Sequence, residues 1–130
     1  MYDKHIITDN SLRNVTTGGK VTGFSIGARL PYYRGQTLSG IEDIVISVDG
    51  AKAPRESVRF SVRGKTWSLD EMETVIDERW EFGEVATVTV LQPGGLTPDA
   101  HQITAMVQQR ISYLPWSPQT TCHKSMSPTA

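Results

Sequence analysis

Cysteine is almost missing from this chain: Cys122 is the single one in 130 residues. That excludes an internal disulfide, and with no further ligands beside it also a zinc cluster. His5, His101 and His123 are scattered, and none falls at an HxH, HxxxH or carboxylate-flanked spacing, so no metal site is expected in this chain. No apolar run reaches the roughly 20 residues that cross a bilayer, and the N-terminus lacks a basic-then-apolar leader pattern. A cytoplasmic protein without membrane contact is expected. A surplus of one charge is also missing. The net charge of -1 gives no electrostatic case for nucleic acid or an anionic membrane. Catalytic signatures are absent too: the glycine pairs lack a phosphate-loop pattern and its following helix, and no serine stands with a histidine as an activated nucleophile. No catalytic residue is expected here.

What is present is alternation. The length fits one domain with one core, and the 38% apolar and 21% charged content is that of a globular protein. Leu12 to Val15 and Val21 to Leu30 flank Gly18-Gly19 as a hairpin, with Phe24, Ile26, Ala28 and Leu30 on one face and Arg29 on the other. Ile44, Ile46 and Val48 lead to Asp49-Gly50, a dipeptide suited to a two-residue hairpin turn, and Pro54 marks an edge. Val58, Phe60 and Val62 turn at Arg63-Gly64 into Trp67 and Leu69. Ala86, Val88 and Val90 form a further buried stripe, and Ile103, Ala105, Val107, Ile111 and Tyr113 another, with Arg110 opposite. The fold class this predicts is all-β, an antiparallel β-sandwich of eight or nine short strands over residues 1–116, with little helix. Residues 117–130 are polar and without period, which predicts a flexible C-terminal tail in which Cys122 is incidental.

Two segments leave alternatives open. Ser68-Leu-Asp-Glu71 has the spacing of a helix capping box, whereas β-branched Thr74, Val75 and Ile76 with Trp80 and Phe82 favour a strand from Thr74 onward. The strand is the preferred reading. Residues 34–65 carry six of the 13 basic groups and residues 70–84 seven of the 14 acids. Kept apart they make the molecule dipolar; as neighbouring solvated strands, the more economical reading, they neutralise each other. The acids also offer carboxylates for glycoside hydrolysis, whose spatial separation sequence does not supply.

Contact chemistry concentrates at two echoing motifs, Arg29-Leu-Pro31-Tyr32-Tyr33 and Arg110-Ile-Ser-Tyr113-Leu-Pro115-Trp116. In each, an alternating run reaches an arginine and breaks at a proline beside aromatics. Arginine, tyrosine and tryptophan concentrate binding energy at interfaces; equally, such prolines end edge strands while the aromatics cover a core rim. Trp67 and Trp80 fit a sugar or flavonoid ring, or a core.

The order of several segments carries a resemblance: MYDKHII with LRNV, Arg29-Leu-Pro-Tyr-Tyr-Arg34-Gly35, Ile41-Glu-Asp with Val48-Asp-Gly50, Leu69-Asp-Glu-Met72, Arg79-Trp-Glu-Phe-Gly-Glu84, Pro93-Gly-Gly-Leu96 and Arg110-Ile-Ser-Tyr-Leu-Pro115. Over residues 1–116 the chain resembles the small β subunit of bacterial C-glycoside deglycosidases. The resemblance implies a hetero-oligomer whose α subunit, similar to sugar-isomerase barrels, carries a histidine base and a divalent metal, manganese. It implies cleavage of the carbon–carbon bond between a 3-keto sugar and an aromatic, flavonoid-like aglycone. Oxidation at C3 acidifies the C2 proton, so that base and metal stabilise an enediolate as the aryl carbon departs. In that picture Arg29, Tyr32, Tyr33, Arg34, Arg79, Trp80, Arg110, Tyr113 and Trp116 brace the partner's loops or wall the aglycone pocket, with no catalytic role on any of them. A free-standing carbohydrate-binding sandwich is the alternative, and it requires exposed aromatics in one coplanar strip.

Overall fold

Period-two sequences give strands with one apolar face, and such a face is stable only when another covers it. The computed structural model, which describes residues 6–30, 35–81, 83–110 and 115–128, meets that need with two antiparallel sheets. One has the order β1 (Arg13–Thr17), β2 (Lys20–Arg29), β9 (Val85–Leu91), β6 (Val58–Val62), β7 (Lys65–Ser68). The other has the order β11 (Gln119–Met126), β10 (His101–Gln109), β4 (Ile41–Val48), β5 (Ala51–Lys52). A two-stranded ribbon pairs β3 (Gln36–Thr37) with β8 (Arg79–Trp80). Phe24, Ile26, Val58, Phe60, Val88 and Val90 from the first sheet and Ile44, Ile46, Ile103, Ala105 and Val107 from the second belong to one buried cluster. The all-β, antiparallel architecture is thus the one the alternation predicts. The described residues hold eleven strands rather than eight or nine, because three are two-residue pairs and one lies in the expected tail.

That tail is the main correction. β11 pairs with β10 through eight residue positions, from His101↔Met126 to Gln108↔Gln119. Cys122 and Met126 are buried, at 4% and 8% exposure, and Lys124 reaches across the open side of the sandwich to Asp9 and the Ile7 carbonyl. An edge strand needs only one apolar side, so two inward residues suffice. Two are too few to register as a period.

The second correction concerns residues 69–82. Ser68 caps α1 (Leu69–Met72) with a complete capping box, Glu71 N–H donating to Ser68 Oγ at 3.2 Å and Ser68 N–H to the Glu71 carboxylate at 2.7 Å. Turns continue through Thr74 and Val75, Ile76 is 78% exposed, and among the described residues of this segment strand structure is confined to Arg79–Trp80, Phe82 lying outside them. Two satisfied helix-end donors and buried Leu69 and Met72 outweigh the β propensity of Thr74–Ile76, which finds no ladder of its own.

At the far end of the sandwich, the β4–β5 turn stands on Asp49 (φ 51°) and Gly50 (φ 87°), the positive angles a type I′ turn demands. Asp49 accepts from the Gln102 N–H at 2.8 Å and bonds His101 Nδ1 at 2.7 Å, while His101 Nε2 meets the Thr97 carbonyl at 3.0 Å. The bond to Asp49 raises the His101 pKa above 6.5, and the bond to His101 lowers that of Asp49 below 3.8. A raised histidine stabilises fully below its unfolded value and loses this as pH climbs through the higher folded value. A depressed aspartate stabilises above its unfolded value and loses this as pH falls through the lower folded one. The clamp is therefore complete between about pH 4 and 6.5. Amide exchange of Gln102, corrected for its intrinsic pH dependence, is expected to accelerate above that window and not in Asp49→Asn, where the clamp is already broken.

Candidate site: the loop rim at one end of the sandwich

Strand directions gather several chain segments at one end. β2 ends at Arg29 opposite Val85, the start of β9; β10 ends at Gln109, whose neighbour Arg110 donates its N–H to the Gly40 carbonyl at 2.7 Å; and Leu38 N–H reaches the Glu78 carbonyl at 3.0 Å. Of the residues singled out in the sequence, Arg29, Arg79, Trp80, Arg110 and Trp116 are described, while Tyr32, Tyr33, Arg34 and Tyr113 lie outside the described residues. Arg110 and the Arg79–Trp80 ribbon are thus joined through Gly40 and Leu38, whereas Arg29 ends β2 in the other sheet, close to Asp9, the partner of Lys124.

Each described member behaves differently. Trp116 is 62% exposed. Arg110 is largely exposed and pairs with Glu42 at 3.1 Å. Arg79 pairs with Glu81 at 2.9 Å. Trp80 departs from the expectation of a contact residue: it is fully buried, stacks edge-on to Phe60 with centroids 5.0 Å apart, and donates Nε1–H to the Glu84 carbonyl at 2.9 Å. The indole fills the end of the core and ties down the turn through Gly83, so it is not free to touch a partner.

The acidic segment is consumed in structure. Arg55 pairs with Asp43, Asp70 and Glu73, and Arg63 with Glu78 and Glu84, while Lys65 adds a second bond to Glu78. Lys65 first, then Arg63, hold the Glu78 carboxyl below its usual range. Burial pushes Glu84 upward, but Arg63 and the Glu81 N–H outweigh it and leave it lowered. Arg55, Arg63 and Lys65 of the basic block thus neutralise acids that lie beside them, as the neighbouring-strand reading expects.

Two rim residues escaped the sequence reading. Glu42 takes a hydrogen bond from Ser117, then the Arg110 guanidinium, and both lower its pKa. It pins both flanks of residues 111–114 to the start of β4 and lines a cavity of about 350 Å³ with Ser39, Ile41, Glu73 and Arg110. Gln109 is the one buried polar residue among those described, at 2%, and its Nε2 has no hydrogen-bond partner there. It continues the inward series Ile103, Ala105, Val107, and a polar residue at a core-facing position was the available signal.

Among the described residues no three histidine, cysteine, aspartate or glutamate side chains converge as a metal site, and no helix is long and apolar enough to cross a membrane. The class these features define is a two-sheet antiparallel sandwich bearing a loop rim rich in arginine. The family described as C-glycoside deglycosidase beta subunit matches residues 2–113, and the chain belongs to it. It is 35% identical over 116 residues to a 3'-dehydrocarminate deglycosidase beta subunit of Microbacterium sp, covering 88% of this chain and 83% of that protein. It is 32% identical over 114 residues to a C-glycoside deglycosidase beta subunit of Eubacterium cellulosolvens, covering 87% and 78%. A protein of the same description from Microbacterium trichothecenolyticum is 32% identical over 126 residues, covering 95% and 89%.

Proposed function

We propose that this chain is the non-catalytic β subunit of a hetero-oligomeric C-glycoside deglycosidase, acting on 3-keto C-glycosides with an aromatic aglycone. Membership of the β subunit family over residues 2–113 carries the reading, and a relative named for a 3'-dehydro glycoside supports the oxidised-sugar substrate class. A 3-keto group makes the C2 proton acidic; a base removes it, the enolate electrons form the C1–C2 double bond, and the aryl carbon leaves C1 with the bonding pair and is protonated. Base and divalent metal, manganese by the family likeness, are assigned to an α subunit resembling a sugar-isomerase barrel. Among the described residues of this chain no three metal-ligating side chains converge. Its own task is binding: Arg29, Arg79, Arg110 and Trp116 flank the segments bearing Tyr32, Tyr33, Arg34 and Tyr113, and this rim braces the partner or walls the aglycone pocket.

The alternative, a stand-alone carbohydrate module, needs a coplanar strip of exposed aromatics. Trp67 faces the core side opposite Phe60, Trp80 is buried, and among described tryptophans only Trp116 is open to solvent. No such strip exists among the described residues. The test is a cleavage assay on a 3-keto C-glycoside with this chain alone, the second subunit alone, and both together. Turnover is expected only from the pair. Arg110→Ala and Trp116→Ala are expected to weaken assembly or turnover by about thirtyfold while altering folding by about 0.5 kcal/mol or less. Cleavage by this chain by itself, or glycan binding without a partner, would overturn the proposal.

A further inference from the structure

We infer that the outer face of the five-stranded sheet is the surface on which this chain seats its partner subunit, and that the partner presents an acidic polypeptide face to it; this rests on the subunit reading above. The register lays out the rows of that face. Arg13, Ser25, Thr89, Arg59 and Ser68 are successive cross-strand neighbours, as are Gly27, Thr87, Ser61 and Thr66 in the next row. Every one of them points away from the core residues Phe24, Ile26, Phe60, Val88 and Val90 that alternate with them.

Three properties suit such a face to a protein partner. Its side chains are short in the middle, so another backbone can approach closely; over Gly27 and Thr87 a shallow cavity of about 360 Å³ opens, lined also by Ser11, Arg13 and Ser25. Its five strands contain no aspartate or glutamate, and their outward-facing positions carry Arg13, Arg29 and Arg59 in a protein of net charge -1. Arg13, Arg29 and Arg59 are in no ion pair among the described residues. The carboxylates nearest in influence to the last two, Asp9 and Glu71, are engaged by Lys124 and by the capping box. Finally, Val85 and Leu91 on the central strand are each 45% exposed, giving apolar contacts at both ends of the polar field.

Charge decides the occupant. A second copy would set arginines against arginines, whereas an acidic face compensates them and is steered toward them. Carbohydrate is disfavoured because the aromatic residues of these strands, Phe24, Phe60 and Trp67, all lie on the core side. Five strands about 4.8 Å apart and about six residues long offer on the order of 500 Å². A stable interface takes about 800 Å² per partner, so contact is expected to run over the Arg29 and Val85 edge onto the rim.

The experiment measures affinity for the purified second subunit by calorimetry. Thr87→Glu, at the centre of the face, is expected to weaken binding by at least about tenfold, and wild-type affinity is expected to fall with added salt. Thr121→Glu, the same change on the outer face of the other sheet, is expected to bind normally, and both variants should melt within about 2 °C of wild type. Normal binding by Thr87→Glu, or loss in Thr121→Glu instead, would sink this docking face and leave the subunit reading intact. If the wild-type chain binds no second subunit at all, the subunit reading fails and this inference falls with it. Self-association through the face, abolished by Thr87→Glu while the second subunit still binds, would replace the acidic partner with a second copy.

Discussion

Trp80→Ala is expected to destabilise the free chain by about 3–5 kcal/mol, enough to leave much of it unfolded at ordinary temperature. The indole is fully buried, meets Phe60 edge-on at 5.0 Å, and its N–H satisfies the Glu84 carbonyl. Truncation therefore opens a large cavity and orphans a backbone acceptor. Trp80→Phe keeps most of the volume but not the donor, and should recover more than half of the loss. The exposed Trp116→Ala provides the contrast, with a change of about 0.5 kcal/mol or less. Urea unfolding of the free chain followed by far-UV circular dichroism separates the three variants. A Trp80→Ala chain that unfolds like wild type but fails to engage the second subunit would return Trp80 to the contact surface.

Removing residues 119–130 is expected to abolish the soluble monomer. The eight-position ladder on β10 would be lost, Cys122 and Met126 would leave the core, and the Lys124 bonds that join the two sheets across their edges would vanish. The truncation would also expose a nine-residue strand whose unpaired N–H and C=O groups template aggregation. Because an insoluble product reports poorly on mechanism, Met126→Ala in the full chain gives the graded test. It should cost about 2 kcal/mol, seen as a lowered urea midpoint. Limited proteolysis should leave Gln119–Met126 uncut in the wild-type chain. A truncated chain that stays monomeric with an unchanged melting temperature would contradict the strand.

The alternation was readable because burial on one side of a sheet writes period two directly into the chain: Phe24, Ile26 and Ala28, Ile44 and Ile46, Val58, Phe60 and Val62, Val88 and Val90 were all recognisable as inward stripes. Turns were readable for the same kind of local reason, since Asp49-Gly50 and Arg63-Gly64 occupy positive φ angles that few residues tolerate. β11 was hidden. Its ordering energy comes from β10, from Asp9 and from a core already closed, none of which lies within its own eight residues. The segment after α1 misled in the opposite direction, because β-branched residues promise a strand only where a neighbouring edge is free to pair.

For the site the division is similar. The sequence by itself determined that arginine and aromatic side chains stand beside strand-ending prolines at two places, and that no metal or nucleophile spacing accompanies them. Only the tertiary structure decided that Arg110 meets the segment before β4 while Arg29 ends a strand of the other sheet, that Trp80 belongs to the core rather than to a partner, that Arg55, Arg63 and Lys65 pair with acids of the acidic block, and that the acid-free strands assemble into one sheet. Local chemistry follows from neighbours along the chain, but charge compensation and burial depend on groups that meet only after long loops have closed. For those, the pairing of distant strands is the deciding physical event.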